Sequence, residues 1–218
     1  MIKNERELKD SFVRVAVAFK IGGWHDDALV VACVMQQLMG GGSSFSAGGP
    51  GKGMYTRLYT DVLNRFHWVE SAEAFTSIHE ESGILGIDAS CEAENVPYLL
   101  QVILDQLAYL RQTPVTDVEL ERAKNMLKSM MFMQLESRLV LCEDIARQFV
   151  TYGKRDTPLE VCTKIDKVTK QDLQELADKM FQSAPSVGAV GHDLSKLPTY
   201  EIIESYAKHL KMQAVTKI

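Results

Sequence analysis

Half of the glycines in this chain, seven of fourteen, fall within residues 40–53, which read GGGSSFSAGGPGKG. Glycine lacks a Cβ and opens φ > 0, so such a segment can bring its own backbone N–H and C=O groups close to a bound chain. The stretch bridges two ordered elements. On one side, residues 26–39 place Leu29, Val30, Cys33, Val34 and Leu38 at helical spacing, with Asp26 or Asp27 set to cap the helix. On the other, residues 54–66 (MYTRLYTDVLNRF) predict a second helix. Loops above about 12 residues are uncommon in compact domains and are usually functional or disordered. A plain Gly/Ser spacer has no use for an aromatic ring or a lone cation, yet Phe45, Pro50, Lys52 and Met54 punctuate this one. The stretch therefore reads as a loop that grasps something extended.

Two phosphate-binding patterns are excluded by spacing. A Walker loop needs Gly-Lys followed by Ser or Thr, whereas Gly51-Lys52 is followed by Gly53 and position 46, where the first glycine belongs, is Ser46. The dinucleotide pattern fails because its third glycine falls at Phe45 counting from Gly40 and at Thr56 counting from Gly51.

Elsewhere the periodicity is mixed. Residues 12–20 alternate, with Val13, Val15, Val17 and Phe19 on one side and Arg14 and Lys20 on the other, which is the signature of a half-buried strand. Residues 68–79 and 83–91 read as two further strands joined in a hairpin, the second turning Leu85, Ile87, Ala89 and Cys91 inward, and residues 187–190 as a fourth. Helices account for much of the rest. Residues 95–111 carry Val96, Leu99, Leu100, Ile103, Leu107 and Leu110 on one stripe. Thr116 with Glu119 forms a capping box ahead of a helix that turns Leu120, Ala123, Leu127, Met130 and Met131 inward, and Thr157-Pro158-Leu159-Glu160 opens another. Strands followed by runs of helices imply an α+β fold, a largely antiparallel sheet packed by helices on one face. With 218 residues and no second linker or repeat, a single domain over residues 1–218 is the simplest organisation.

Composition removes several function classes. No apolar run approaches the roughly 18 to 20 residues of a membrane span. The opening residues, MIKNERELKD, have neither the apolar core of a signal peptide nor the acid-poor character of a transit peptide, so a targeting segment for import would be absent from this sequence. A net charge of -5 without a basic stripe argues against nucleic acid. Cys33, Cys91, Cys142 and Cys162 are widely spaced and read as buried reduced thiols, which suits a reducing compartment. Residues 66–110 contain no Lys or Arg but eight acids, Glu70, Glu73, Glu80, Glu81, Asp88, Glu92, Glu94 and Asp105. By itself such a run reads as a solvated sheet face as readily as a binding surface.

The run from Gly40 to Arg65, continuing through HEESGILGIDASC at residues 79–91, closely resembles the glycine-rich loop and following helix of the processing-peptidase alpha subunits. These belong to the M16, pitrilysin-type, zinc metallopeptidases. Subunits of that family are built from two similar halves, and the chain is similar to a C-terminal half. The family's zinc motif, His-x-x-Glu-His, and its inverse are both absent: His79-Glu80 begins the inverse, but position 83 is glycine, and His25, His67, His192 and His209 are dispersed. Active members also carry an arginine and a tyrosine seven residues apart; Arg65 could match the arginine, but the seventh residue on is Ala72.

The resemblance thus implies a non-catalytic, substrate-recognising subunit without a metal or cofactor of its own. It would form a heterodimer with a zinc-bearing beta subunit in the mitochondrial matrix and bind the basic amphipathic presequences of imported proteins. On that implication Gly40, Gly41, Gly42, Gly48, Gly49, Gly51 and Gly53 supply backbone approach and mobility, and Phe45 and Met54 meet the peptide's apolar face. Lys52 bonds either a backbone carbonyl or the acidic partner subunit. Glu70, Glu73, Glu80 and Glu81 steer the Arg-rich peptide electrostatically. The alternative implied by the same family is a core-protein scaffold in the cytochrome bc1 complex.

Overall fold

The computed structural model describes residues 12–43 and 54–215. Its centre is a five-stranded sheet made of β1 (Phe12–Gly22), β2 (Gly41–Ser43), β3 (Val69–Ile78), β4 (Ser82–Glu92) and β5 (Ser186–Gly191). The strand order is β2-β3-β4-β1-β5 and every neighbouring pair is antiparallel. The seven α-helices of the described residues are α1 (Leu29–Met39), α2 (Val96–Gln112), α3 (Asp117–Leu135), α4 (Arg138–Tyr152), α5 (Pro158–Asp166), α6 (Lys170–Met180) and α7 (Tyr200–Val215).

The alternation in β1 decides which face is covered. Val13, Val15 and Val17 are fully buried and Phe19 is 1% exposed, while Arg14 points away and forms an ion pair with Asp88 on β4. Residues i and i+2 of a strand share a face, so Leu85, Ile87, Ala89 and Cys91 of β4 join the same apolar surface. On it lie α1 against β3, α2 against β4 and β1, and α6 against β1. The stripe expected on α2 is buried throughout, and Phe181 just beyond α6 stacks on Phe19 with ring centroids 4.5 Å apart. Three helices begin with reciprocal capping boxes, Thr116 with Glu119, Thr157 with Glu160 and Thr169 with Asp172, each satisfying two otherwise orphaned backbone donors. The expected α+β sandwich of sheet and helices is the observed one.

Four local expectations give way. The glycine-rich stretch contributes a short edge strand, β2, because β3 offers it a partner register from Glu73 to Ser71. Residues 54–66 form a turn followed by a π-helical segment, Tyr59–Leu63, in which Asn64 N–H donates to Tyr59 C=O. The Thr60 hydroxyl donates to Thr56 C=O at 3.1 Å, and such back-bonding competes with a regular helical ladder. Ala28 rather than an aspartate is the N-cap of α1; Asp26 instead accepts from the Ala28 N–H at 2.8 Å, which holds its carboxyl below the usual range with help from Lys179. Met130 and Met131 are only half-buried and Met133 is exposed: α3 packs on the helices α1, α4 and α5, and α4 buries none of its own residues fully.

The fully buried interior of α3 holds Leu120, Ala123 and, unexpectedly, Lys124. The Lys124 ammonium donates to Asp166 C=O at the end of α5 (3.1 Å) and to Glu121 (3.3 Å), so a cation closes a helix C-terminus while its methylene stem packs inside. Lys124→Ala is expected to lower the unfolding free energy by about 2 kcal/mol and Lys124→Met by about half as much. Urea denaturation of the two variants checks the split between stem and charge.

The cysteines also divide. Cys91 is buried and its thiol is pushed up to about 12 by burial, with Glu92 adding to the shift; burial raises Cys33 as well. Cys142 is exposed on α4, which corrects the expectation that it lies in an apolar setting, and Cys162 is half-buried. Since thiolate is the reactive form, alkylation of the native protein at pH 8 should modify Cys142 first and leave Cys33 and Cys91 unmodified until unfolding, as peptide mass mapping would read.

Candidate functional site

The glycine-rich stretch begins where α1 ends. Gly40 caps that helix with φ +55° and its N–H donates to Gln36 C=O at 2.8 Å, while its own carbonyl accepts from Ala74 N–H at 2.8 Å. Gly41 follows at φ +107°. A Cβ on Gly40 would lie 2.3 Å from the Thr56 methyl carbon, and one on Gly41 would lie 2.0 Å from the Ala72 carbonyl oxygen. Both positions therefore require glycine for conformation and for space. The close approach they make is to this chain's own Thr56 and β3. Gly42, next on β2, pairs with Ala72 of β3. Gln36 locks the junction from beneath, donating to Ala74 C=O and accepting from the Thr76 hydroxyl at 2.9 Å.

Phe45, Gly48, Gly49, Gly51, Lys52 and Gly53 lie outside the described residues. The chain is described again from Met54, which is 37% exposed, and Tyr55, which is 72% exposed. Thr56, Arg57 and Leu58 then turn inward and are buried. The Thr56 hydroxyl accepts from Gly41 N–H at 3.2 Å, so the two ends of the stretch meet across one hydrogen bond. The Arg57 guanidinium, 8% exposed, donates through Nε to Glu119 Oε1 at 3.0 Å. Glu119 Oε2 meanwhile accepts from the Thr116 N–H and hydroxyl, both at 2.8 Å. Burial alone would raise the Glu119 carboxyl, but these hydrogen bonds outweigh it and hold it below the usual range. Arg122, one turn further along α3, donates to Tyr55 C=O at 2.9 Å and lies over the Tyr55 ring.

None of Tyr55, Thr56, Arg57, Glu119 or Arg122 stood out as a site residue in the sequence. The run Tyr-Thr-Arg carries no motif, and an arginine reads as surface until its partner on a distant helix is known.

The four acids proposed for steering are not gathered together. Glu73 is exposed on β3 opposite Gly41, and Glu70 is half-buried at a register shift between Val69 and Ser71. Glu80 and Glu81 sit at the β3–β4 turn, about 23 Å from Glu73 at 3.3 Å per residue, well beyond the ~8 Å screening length of physiological salt. Other members of the acidic run are engaged elsewhere: Asp88 by Arg14, Glu94 by Lys196, and Asp105 by the Tyr206 hydroxyl. Glu73 is thus the acid best placed beside the stretch.

Among the described residues no group of three or more His, Cys, Asp or Glu is arranged to hold a metal ion, and His25 packs edge-on against Tyr152. Ala72, seven residues beyond Arg65, is 1% exposed beneath Gly42, so no side chain reaches outward there. No helix of the described residues is long and apolar enough to cross a membrane.

Gly41→Ala is expected to cost about 2 kcal/mol or more from backbone strain and contact with Ala72. Gly188→Ala on β5, where a Cβ meets nothing within 4 Å, should be near neutral. Chemical denaturation midpoints of the pair provide the measurement.

Comparison with known proteins adds a family to this geometry. Residues 2–127 match the Peptidase M16 inactive domain. The mitochondrial-processing peptidase subunit alpha of Rattus norvegicus is 44% identical over 83% of this chain and 34% of its own length. That of Pongo abelii is 44% identical over 93% of this chain and 40% of its own. The chain therefore spans roughly a third to two fifths of these relatives' length. A chain of the Candida albicans complex III2, Inz-5 bound, shares the fold with TM-score 0.80 at 19% identity, over 90% of this chain and 46% of that one. An M16 inactive-domain match over more than half the chain, with 44% identity to alpha subunits across most of it, establishes that the chain belongs to the M16 peptidase family and is a relative of the processing-peptidase alpha subunits.

Proposed function

We propose that the chain is the substrate-recognising part of a mitochondrial processing-peptidase alpha subunit, which holds basic amphipathic presequences for cleavage by a zinc-bearing beta subunit. The observation that carries this reading is a glycine-rich stretch held at both ends on the edge of the sheet, in a chain similar to alpha subunits over most of its length. Backbone without side chains offers N–H and C=O groups to a peptide at close range and with little sequence preference, which suits presequences that share charge and amphipathicity rather than wording. Met54 offers exposed apolar surface at the exit and Glu73 a negative charge at the entry. An exposed acid of this kind orients an Arg-rich peptide and speeds encounter more than it tightens binding.

The division of labour follows from chemistry. Hydrolysis in this family needs two imidazoles and a general base on one helix, and the sequence contains no such motif. Peptide-bond cleavage is therefore assigned to the partner, whose zinc supplies the activated water. The setting is mitochondrial, on the matrix side, where presequences emerge. A second reading, a core-protein scaffold in the cytochrome bc1 complex, is favoured by the fold shared with a chain of complex III2. Co-purification of stoichiometric haem with the native subunit would select it.

Deleting residues 48–51 from the subunit assembled with its zinc-bearing partner is expected to weaken binding of a fluorescent presequence peptide by about tenfold, or about 1.4 kcal/mol. Raising ionic strength should slow association of the peptide with the undeleted protein. Unchanged affinity and cleavage rate in the deletion variant would remove the stretch from the mechanism.

A further inference from the structure

Three consecutive residues after Met54 each take a partner from elsewhere in the fold, two of them on α3 and one on β2. Tyr55 is held by Arg122 through its carbonyl and ring, Thr56 takes the Gly41 N–H, and Arg57 enters the protein to meet Glu119. A buried guanidinium is costly unless it is paired and hydrogen-bonded. Here the partner carboxylate is itself fixed, because its second oxygen belongs to the capping box of α3. Residue 57 is thereby registered against α3, and through Thr56 that register is passed to Gly41 and β2.

Resting on the peptide-recognition reading above, we propose that Thr56 and Arg57 are positioning residues for peptide binding: without touching the peptide, they fix the places from which residues 42–43 and Met54 meet it. Thr56 sets the separation between β2 and the returning chain. Arg57 sets the height of Met54 and Tyr55 relative to α3. A pre-arranged base spares binding the entropy of ordering that region, so the effect belongs in the encounter with substrate and not in the chemical step on the partner subunit.

The test uses the subunit assembled with its zinc-bearing partner and a fluorogenic presequence peptide. Arg57→Met and Thr56→Val are each expected to raise KM by about tenfold while kcat stays within about twofold. Arg57→Lys, which keeps the charge but not the fork geometry, should recover part of the loss. Combining Arg57→Met with Glu119→Gln should cost less than the sum of the two. Thr56→Val keeps the side-chain shape and carries the test should Arg57→Met fail to assemble. Lys124→Ala is the control, since it disturbs the same helix on the side facing α5 and should leave KM unchanged. A KM unaltered in both variants, or a Lys124→Ala effect on KM as large as that of Arg57→Met, overturns the proposal. If deletion of residues 48–51 leaves binding intact, the recognition reading falls and takes this inference with it. If that deletion weakens binding while Thr56→Val and Arg57→Met do not, the reading stands and this inference alone fails.

Discussion

Val13, Val15, Val17 and Phe19 leave β1 on the same side as Leu85, Ile87, Ala89 and Cys91 leave β4, and excluding water from that shared surface is the constraint to which the rest of the fold answers. A side chain on a strand cannot change faces without shifting the whole register, so the surface must be roofed. Helices α1, α2 and α6 roof it with Met35, Leu99, Ile103, Leu107 and Leu173. The opposite face carries Arg14 against Asp88 and Ser71 against Ser90, which need only solvent and each other. The described part of the glycine-rich stretch lies at one edge of this sheet as β2.

Helix α3 connects that edge to the body of the protein. Its first turns hold Arg57 and Tyr55 through Glu119 and Arg122, and its middle reaches α5 through Lys124 and Lys128. The buried and half-buried cations follow one rule. Arg57 and Arg111 each keep a carboxylate within 3.0 Å, Arg111 pairing with Asp178 while stacking over Phe181, and Lys124 is held by a helix-terminal carbonyl and Glu121. Removing one partner from such a pair leaves a charge desolvated and unpaired, which costs stability.

The complex III2 chain shares this architecture at only 19% identity, whereas the alpha subunits share 44%. That contrast is what a sheet roofed by helices predicts: apolar spacing suffices for the fold and tolerates wide exchange of residues, while particular chemistry has to be found at particular positions. In this chain the position seven residues past Arg65 is a buried alanine beneath the edge strand, where it packs.

Much of this was legible in one dimension. Alternation in residues 12–20, the hairpin at residues 68–91, the stripe on α2 and the capping box at Thr116 are local patterns whose periods match the structures they form, and the glycine cluster with its neighbouring wording carried the family. The sequence by itself determined the layers, the covered face and the absence of a zinc-binding motif. Only the tertiary structure decided that Gly41 must fit over Ala72, that Thr56 meets Gly41, and that Arg57 finds Glu119 sixty-two positions away. The reason is physical: periodicity records which side of an element is dry, but hydrogen bonds and charge pairs between distant segments depend on distances that exist only after the chain has closed on itself.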